Sequence, residues 1–112
     1  MNTRVIRWLL PITLVASAAC SAALDSRVSP ISQLTGDTTA GKTVYDANCK
    51  SCHGTDGKGT GGSEKKNVAS TAVSDKQGAI NQVLVGGSGM PAYSSLTNQQ
   101  IADCIAYLAS LN

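Results

Sequence analysis

Within this chain of 112 residues, the run Cys49-Lys50-Ser51-Cys52-His53 narrows the possible folds more than any other feature. It has the C-x-x-C-H spacing of covalent c-type haem attachment. Two thiols three positions apart at the end of a helix lie on one side, where they can add to the two vinyl groups of a haem. His53 is then carried beneath the iron and offers an imidazole nitrogen as the proximal ligand. Three other readings account for the run less well. A structural zinc site takes four ligands, yet His53 is the only histidine, and Cys20 and Cys104 form no second C-x-x-C. A thioredoxin-like redox pair sits just before a helix in a β-α-β pattern, whereas these cysteines close a helix that no strand precedes. A disulfide inside C-x-x-C is strained and leaves the histidine unexplained.

The composition points the same way. There is no Phe, the only Trp is Trp8, and the remaining aromatic residues are Tyr45, Tyr93 and Tyr107. Aromatic side chains supply much of the buried area of ordinary cores. A domain of this size, rich in Gly, Ala and Ser, has little margin without them. A large apolar group inside the fold would make up the difference, and a haem is such a group.

The N-terminus reads as an export signal over residues 1–19. Arg4 and Arg7 precede the apolar run Trp8–Ala16, and Ser17, Ala18 and Ala19 supply small residues for cleavage. The run is shorter than the roughly 20 residues that cross a bilayer. The chain has 9 basic and 7 acidic residues, so loss of Arg4 and Arg7 leaves a balanced mature domain. That balance argues against nucleic acid, which calls for a basic face. Cys20 admits two readings, lipidation as a membrane tether or ordinary cleavage nearby without it. Ser17 departs from the aliphatic residue usual three positions before a lipidated cysteine. Residues 20–37 show no helical or strand period and read as a flexible N-terminal arm or tether. A flexible spacer of that length spans about 20–25 Å.

Three helices are expected after the arm. The first runs from Thr38 to about His53, with Ala40, Val44 and Ala47 on one side and Gly41, Tyr45, Cys49 and Cys52 on the next. Residues 54–73 hold five glycines and read as mostly loop. A second helix begins at Ser74, with Ser74 and Gln77 at capping-box spacing and Ile80, Val83 and Leu84 following at helical intervals. Gly86 and Gly87 end it. The third opens on a capping box from Thr97 to Gln100 and carries the stripe Ile101, Cys104, Ile105, Leu108 and Leu111. Cys104 reads as a small buried hydrophobe, with a Cys20–Cys104 disulfide open only if Cys20 stays unmodified.

With a single histidine, a second axial ligand from another histidine of this chain is excluded. Met90 is the only methionine outside the leader and lies in the loop Ser88-Gly89-Met90-Pro91-Ala92-Tyr93. A methionine kept as filler would more naturally sit on a helical stripe. Met90 is therefore the expected sixth ligand. His/Met ligation raises the reduction potential and leaves no open iron position, which favours electron transfer over catalysis.

Residues 38–112 resemble the class I c-type cytochromes of the small bacterial, cytochrome c6-like kind. The resemblance rests on G-K-T-V-Y-D-A-N-C-K-S-C-H-G, on Met90-Pro91-Ala92-Tyr93, and on Tyr107-Leu108. It implies an all-α cytochrome c fold, with three short helices and Gly-rich loops around one covalent haem c. It also implies that the first and last helices cross closely at Gly41, with Tyr107 packed against it. The implied function is that of a periplasmic electron carrier, not an enzyme, shuttling one electron between redox protein partners. The alternatives are the haem subunit of a larger oxidoreductase and a haem-based ligand sensor. One departure is that no Pro lies between Cys52 and Met90 to offer the carbonyl that often receives a bond from the proximal histidine. The interval of 37 residues from His53 to Met90 suits the compact bacterial type. Lys50, Lys58, Lys65 and Lys66 read first as a solvated loop, and second as a patch that steers acidic partners.

Overall fold

The computed structural model describes residues 22–59 and 67–112, which form six helices. The expected export signal, Cys20, Lys65 and Lys66 lie outside the described residues. The helices are α1 (Val28–Ser32), α2 (Thr38–Asn48), α3 (Lys50–His53), α4 (Val68–Ser74), α5 (Lys76–Val85) and α6 (Asn98–Ser110). Among the described residues there is no strand, only an isolated bridge between Gly87 and Met90. The all-α class expected from the sequence is the class observed.

The central contact is α2 against α6. Asp37 caps α2 by accepting the Ala40 N–H at 2.8 Å, and α6 opens on the expected reciprocal box between Thr97 and Gln100. Where they cross, a Cβ added to Gly41 would lie 1.9 Å from the Asp103 carbonyl oxygen and 2.9 Å from Tyr107 Cβ. One at Gly36 would lie 2.3 Å from the Ala102 oxygen. Only a residue without a side chain lets two backbones meet so closely. Asp103, only 7% exposed, joins the crossing by accepting the Asp37 N–H and the Gln99 amide, each at 2.8 Å. A buried carboxylate is tolerated only when hydrogen-bonded in this way.

Three expectations need correcting. The stretch 20–37 is not flexible arm throughout, because α1 buries Val28 and Ile31 in the core. Arg27 locks it down, its guanidinium donating to Asn98 Oδ1 at 2.8 Å, the Ser94 carbonyl at 2.8 Å and the Leu96 carbonyl at 2.6 Å. Pro30 is tolerated there because the first turn of a helix needs no N–H from it. The run 54–73 is not mostly loop to its end, since Asn67 caps α4, which buries Ala69 and Ala72. Finally, Ser74 belongs to α4, bonding back to the Ser70 carbonyl at 3.1 Å. Asp75 breaks the chain at φ −145° and ψ 70° and caps α5 by accepting the Gly78 N–H.

The core gathers Val28, Ile31, Ile80, Ile101 and Ile105 around Tyr45, the only aromatic ring fully buried among the described residues. Tyr45 lies 5.5 Å from the Tyr107 ring, tilted by 54°. Burial above all, with smaller contributions from the sulfurs of Cys49 and Cys104, pushes its phenol up to about 12.

Two outcomes follow. Gly41→Ala forces a methyl into the Asp103 carbonyl and should cost about 1–3 kcal/mol in chemical denaturation. The raised Tyr45 pKa means that the folded protein keeps a proton the unfolded chain releases. That stabilisation is complete below about pH 10 and lost as the pH rises towards 12. Denaturation midpoints followed over that window should fall less steeply in Tyr45→Phe than in the native protein.

Candidate functional site

The end of α2 builds the first side of the site. The chain turns at Cys49, with φ −117° and ψ −32°, into the single turn of α3. There the Cys49 carbonyl accepts the N–H groups of Cys52 at 3.1 Å and His53 at 2.9 Å. These bonds hold both thiols and the imidazole on one rigid turn. Gly54, at φ 79°, ends it in a conformation that favours glycine. Tyr45, one helical turn before Cys49, donates its hydroxyl to the Gly54 carbonyl at 2.5 Å and so pins the segment directly after His53. Cys49 is half-buried, Cys52 exposed, and His53 half-buried with its Nδ1 fully enclosed.

Met90 approaches from the other side. Gly86 closes α5 at φ 65°, in space where a Cβ would lie 2.6 Å from the Met90 oxygen. Gly87 and Met90 then exchange two backbone hydrogen bonds, at 2.8 and 3.0 Å, around Ser88 at φ 53° and Gly89 at φ 84°. Positive φ at both central residues is the signature of a type I′ turn. Met90 thus sits on the rim of a tight hairpin and not in a slack loop. His53 and Met90, 37 positions apart, border one cavity of about 430 Å³. Its apolar walls come from Val68 on α4, Val83 on α5, and Ile105 and Leu108 on α6.

The structure also brings in a residue whose place could not be read from the sequence. Cys104 of α6 borders the same cavity, and its thiol meets that of Cys49. The hydrogen bond it donates holds the Cys49 thiol below the ordinary thiol range, while the same contact and burial hold Cys104 well above it. The thiolate is the reactive form of cysteine, so the contact favours reactivity at Cys49 over Cys104. Cys49, Cys52 and Cys104 form no disulfide with one another. Nothing in a 55-residue separation announces this pairing, because the α2–α6 crossing creates it.

This donor set suits a haem. Two thiols and an imidazole share one turn and a thioether borders the same space, with Val68, Ala79, Val83, Ile105 and Leu108 giving an aliphatic wall and Thr71, Asp75, Gln82 and Ser88 a polar one. The cavity volume falls within the range of cofactor sites, about 300–1,000 Å³. A zinc centre does not fit, since among the described residues no three His, Cys, Asp or Glu side chains cluster as metal ligands.

Comparison with known proteins agrees. The family model described as cytochrome c oxidase, cbb3-type, subunit III matches residues 36–108. Cytochrome c-554(547) of Halothiobacillus neapolitanus is 34% identical over 89 residues, covering 68% of this chain and 98% of that protein. No solved structure matches at a significant level. With its helical fold, its C-x-x-C-H turn and these relatives, the chain belongs to the class I monohaem c-type cytochromes, which carry one covalent haem c and serve haem-based electron transfer.

Proposed function

We propose that this cytochrome is an exported single-electron carrier in which Cys49 and Cys52 hold the haem by thioether bonds, and His53 and Met90 are its axial ligands. The observation that carries the proposal is the convergence of His53 and Met90 on one cavity from segments far apart in the chain. The haem supplies a one-electron ferric–ferrous couple when bound. The protein's part is to hold and to exclude. Cys49, Cys52 and His53 are fixed by the α3 turn, and Met90 by its hairpin. Tyr45, Ile105 and Leu108 keep that side of the cavity dry. Ligands that stay in place in both oxidation states keep rearrangement small, which speeds transfer. A thioether ligand raises the potential.

Export, with residues 1–19 as the signal and a periplasmic destination, belongs to the same proposal. No helix of the described residues is long and apolar enough to cross a membrane; lipidation of Cys20 is one way the domain could be tethered. The partners are redox proteins. Lys50 and Lys58 are exposed on and just after the attachment turn, where they suit an acidic face.

The matching family's description favours a second reading, that the chain is the haem subunit of a larger oxidoreductase. Co-purification in fixed stoichiometry with an enzyme subunit, from mild detergent extracts, would support that reading. Isolation as a lone protein would support the free carrier.

In ferric protein matured with haem, a weak near-red sulfur-to-iron band is expected and should vanish in Met90→Ala. That variant should also lower the potential by on the order of 0.1 V and let carbon monoxide bind the ferrous form readily. An unchanged band and potential would remove Met90 from the iron. Ready carbon monoxide binding by the native protein would point instead to a sensor with a displaceable methionine. For the thioethers, acidified-acetone extraction should leave the haem on native protein and strip it from the Cys49→Ser, Cys52→Ser double variant.

A further inference from the structure

Among the described residues, a side-chain bond joins the segment after the Met90 hairpin to the end of the helix that leads into the Cys49–His53 turn. Tyr93, three residues beyond Met90, donates its hydroxyl to the Asn48 carbonyl at 2.9 Å. Asn48 is the last residue of α2 and directly precedes Cys49. Carbonyls at a helix end lack an intrahelical donor and take partners from elsewhere. The backbone of Tyr93 is itself held, its N–H donating to the Val83 carbonyl at 2.8 Å and its carbonyl accepting the Leu96 N–H at 3.1 Å. Pro91, one of the two residues between, fixes its own φ and restricts the backbone of Met90 before it. Tyr93 is thus joined to α5 by its backbone and to the end of α2 by its side chain.

We propose that Tyr93 is a positioning residue that ties the Met90 hairpin to the Cys49–His53 turn and so holds the methionine thioether at its place on the haem iron. The inference rests on the His53/Met90 ligation proposed above. Without the bridge, the hairpin keeps its internal bonds and its attachment to α5, but its distance from the attachment turn is no longer held. The methionine then leaves the iron more often, and an external ligand enters more easily. Nothing else in the fold should change much, because the Tyr93 ring can stay where it is.

The test compares haem-loaded native protein with Tyr93→Phe, Met90→Ala and Val28→Ala. The readouts are carbon monoxide affinity of the ferrous form, the ferric near-red band, and the denaturation midpoint. A hydrogen bond of ordinary net strength corresponds to a roughly three- to tenfold gain in carbon monoxide affinity for Tyr93→Phe, with the near-red band retained but weakened. Met90→Ala should open the iron fully. Val28→Ala, on α1 away from the cavity, should lower the midpoint and leave carbon monoxide binding as it was. Native-like binding in Tyr93→Phe, beside an opened Met90→Ala, overturns the role of Tyr93 and leaves the ligation intact. Unaltered binding in Met90→Ala overturns the ligation, and the role of Tyr93 with it. A gain in Val28→Ala equal to that in Tyr93→Phe also overturns the inference, since general loosening would then be the cause. If Tyr93→Phe does not fold, Tyr93→Leu removes the donor together with the ring, and its gain in carbon monoxide affinity must then exceed that of Val28→Ala at an equal loss of midpoint; an equal or smaller gain overturns the inference.

Discussion

The crossing of α2 and α6 is the contact on which the rest of the molecule depends. At Gly41 the carbonyl of Asp103 occupies the place where any side chain would be. Because α2 leads directly into Cys49, this contact also decides where the Cys49–His53 turn sits relative to Cys104, Ile105 and Leu108. A crossing one side chain wider would part the two thiols and draw the aliphatic wall back from the imidazole. The fold therefore spends its closest approach beside its functional site.

The second constraint is how little this chain has with which to build a core. Its buried side chains are mainly Ile, Val, Leu and Ala around Tyr45, and part of the interior is the cavity itself. In compensation, short elements are tied down by directed bonds. Arg27 spans three acceptors to hold α1, and Asp103 links the start of α2 to α6. Asp37, Asn67, Asp75 and Thr97 each cap a helix. A covalently attached haem adds the large apolar surface that the sequence lacks.

Much of this was legible in the residue order. Local signals survived folding where a single interaction decided them, as with the Thr97–Gln100 box, the glycines that end α5, and the C-x-x-C-H turn. They failed where tertiary contact overrode a weak pattern. Helix α1 has only Val28 and Ile31 to mark it, and its stability comes from α5, α6 and Arg27. Helix α4 follows a glycine-rich run and is built from small residues whose periodicity is faint. At the start of α5, Ser74 and Asp75 are both good capping residues. Asp75 prevails because the backbone breaks there, leaving Ser74 within the preceding helix.

The sequence alone determined the chemistry available: two thiols at fixed spacing, one imidazole, one thioether besides that of Met1, and helices of sufficient amphipathicity to enclose them. Those properties reside in residue identity and in separations of a few positions, which local geometry converts directly into structure. Only the tertiary structure decided which of them meet. Met90 and His53 share a cavity, Cys104 reaches Cys49, and Tyr93 reaches Asn48 across intervals of 37, 55 and 45 residues. Contacts at such separations depend on how helices cross and how a hairpin folds back, and no local pattern encodes them.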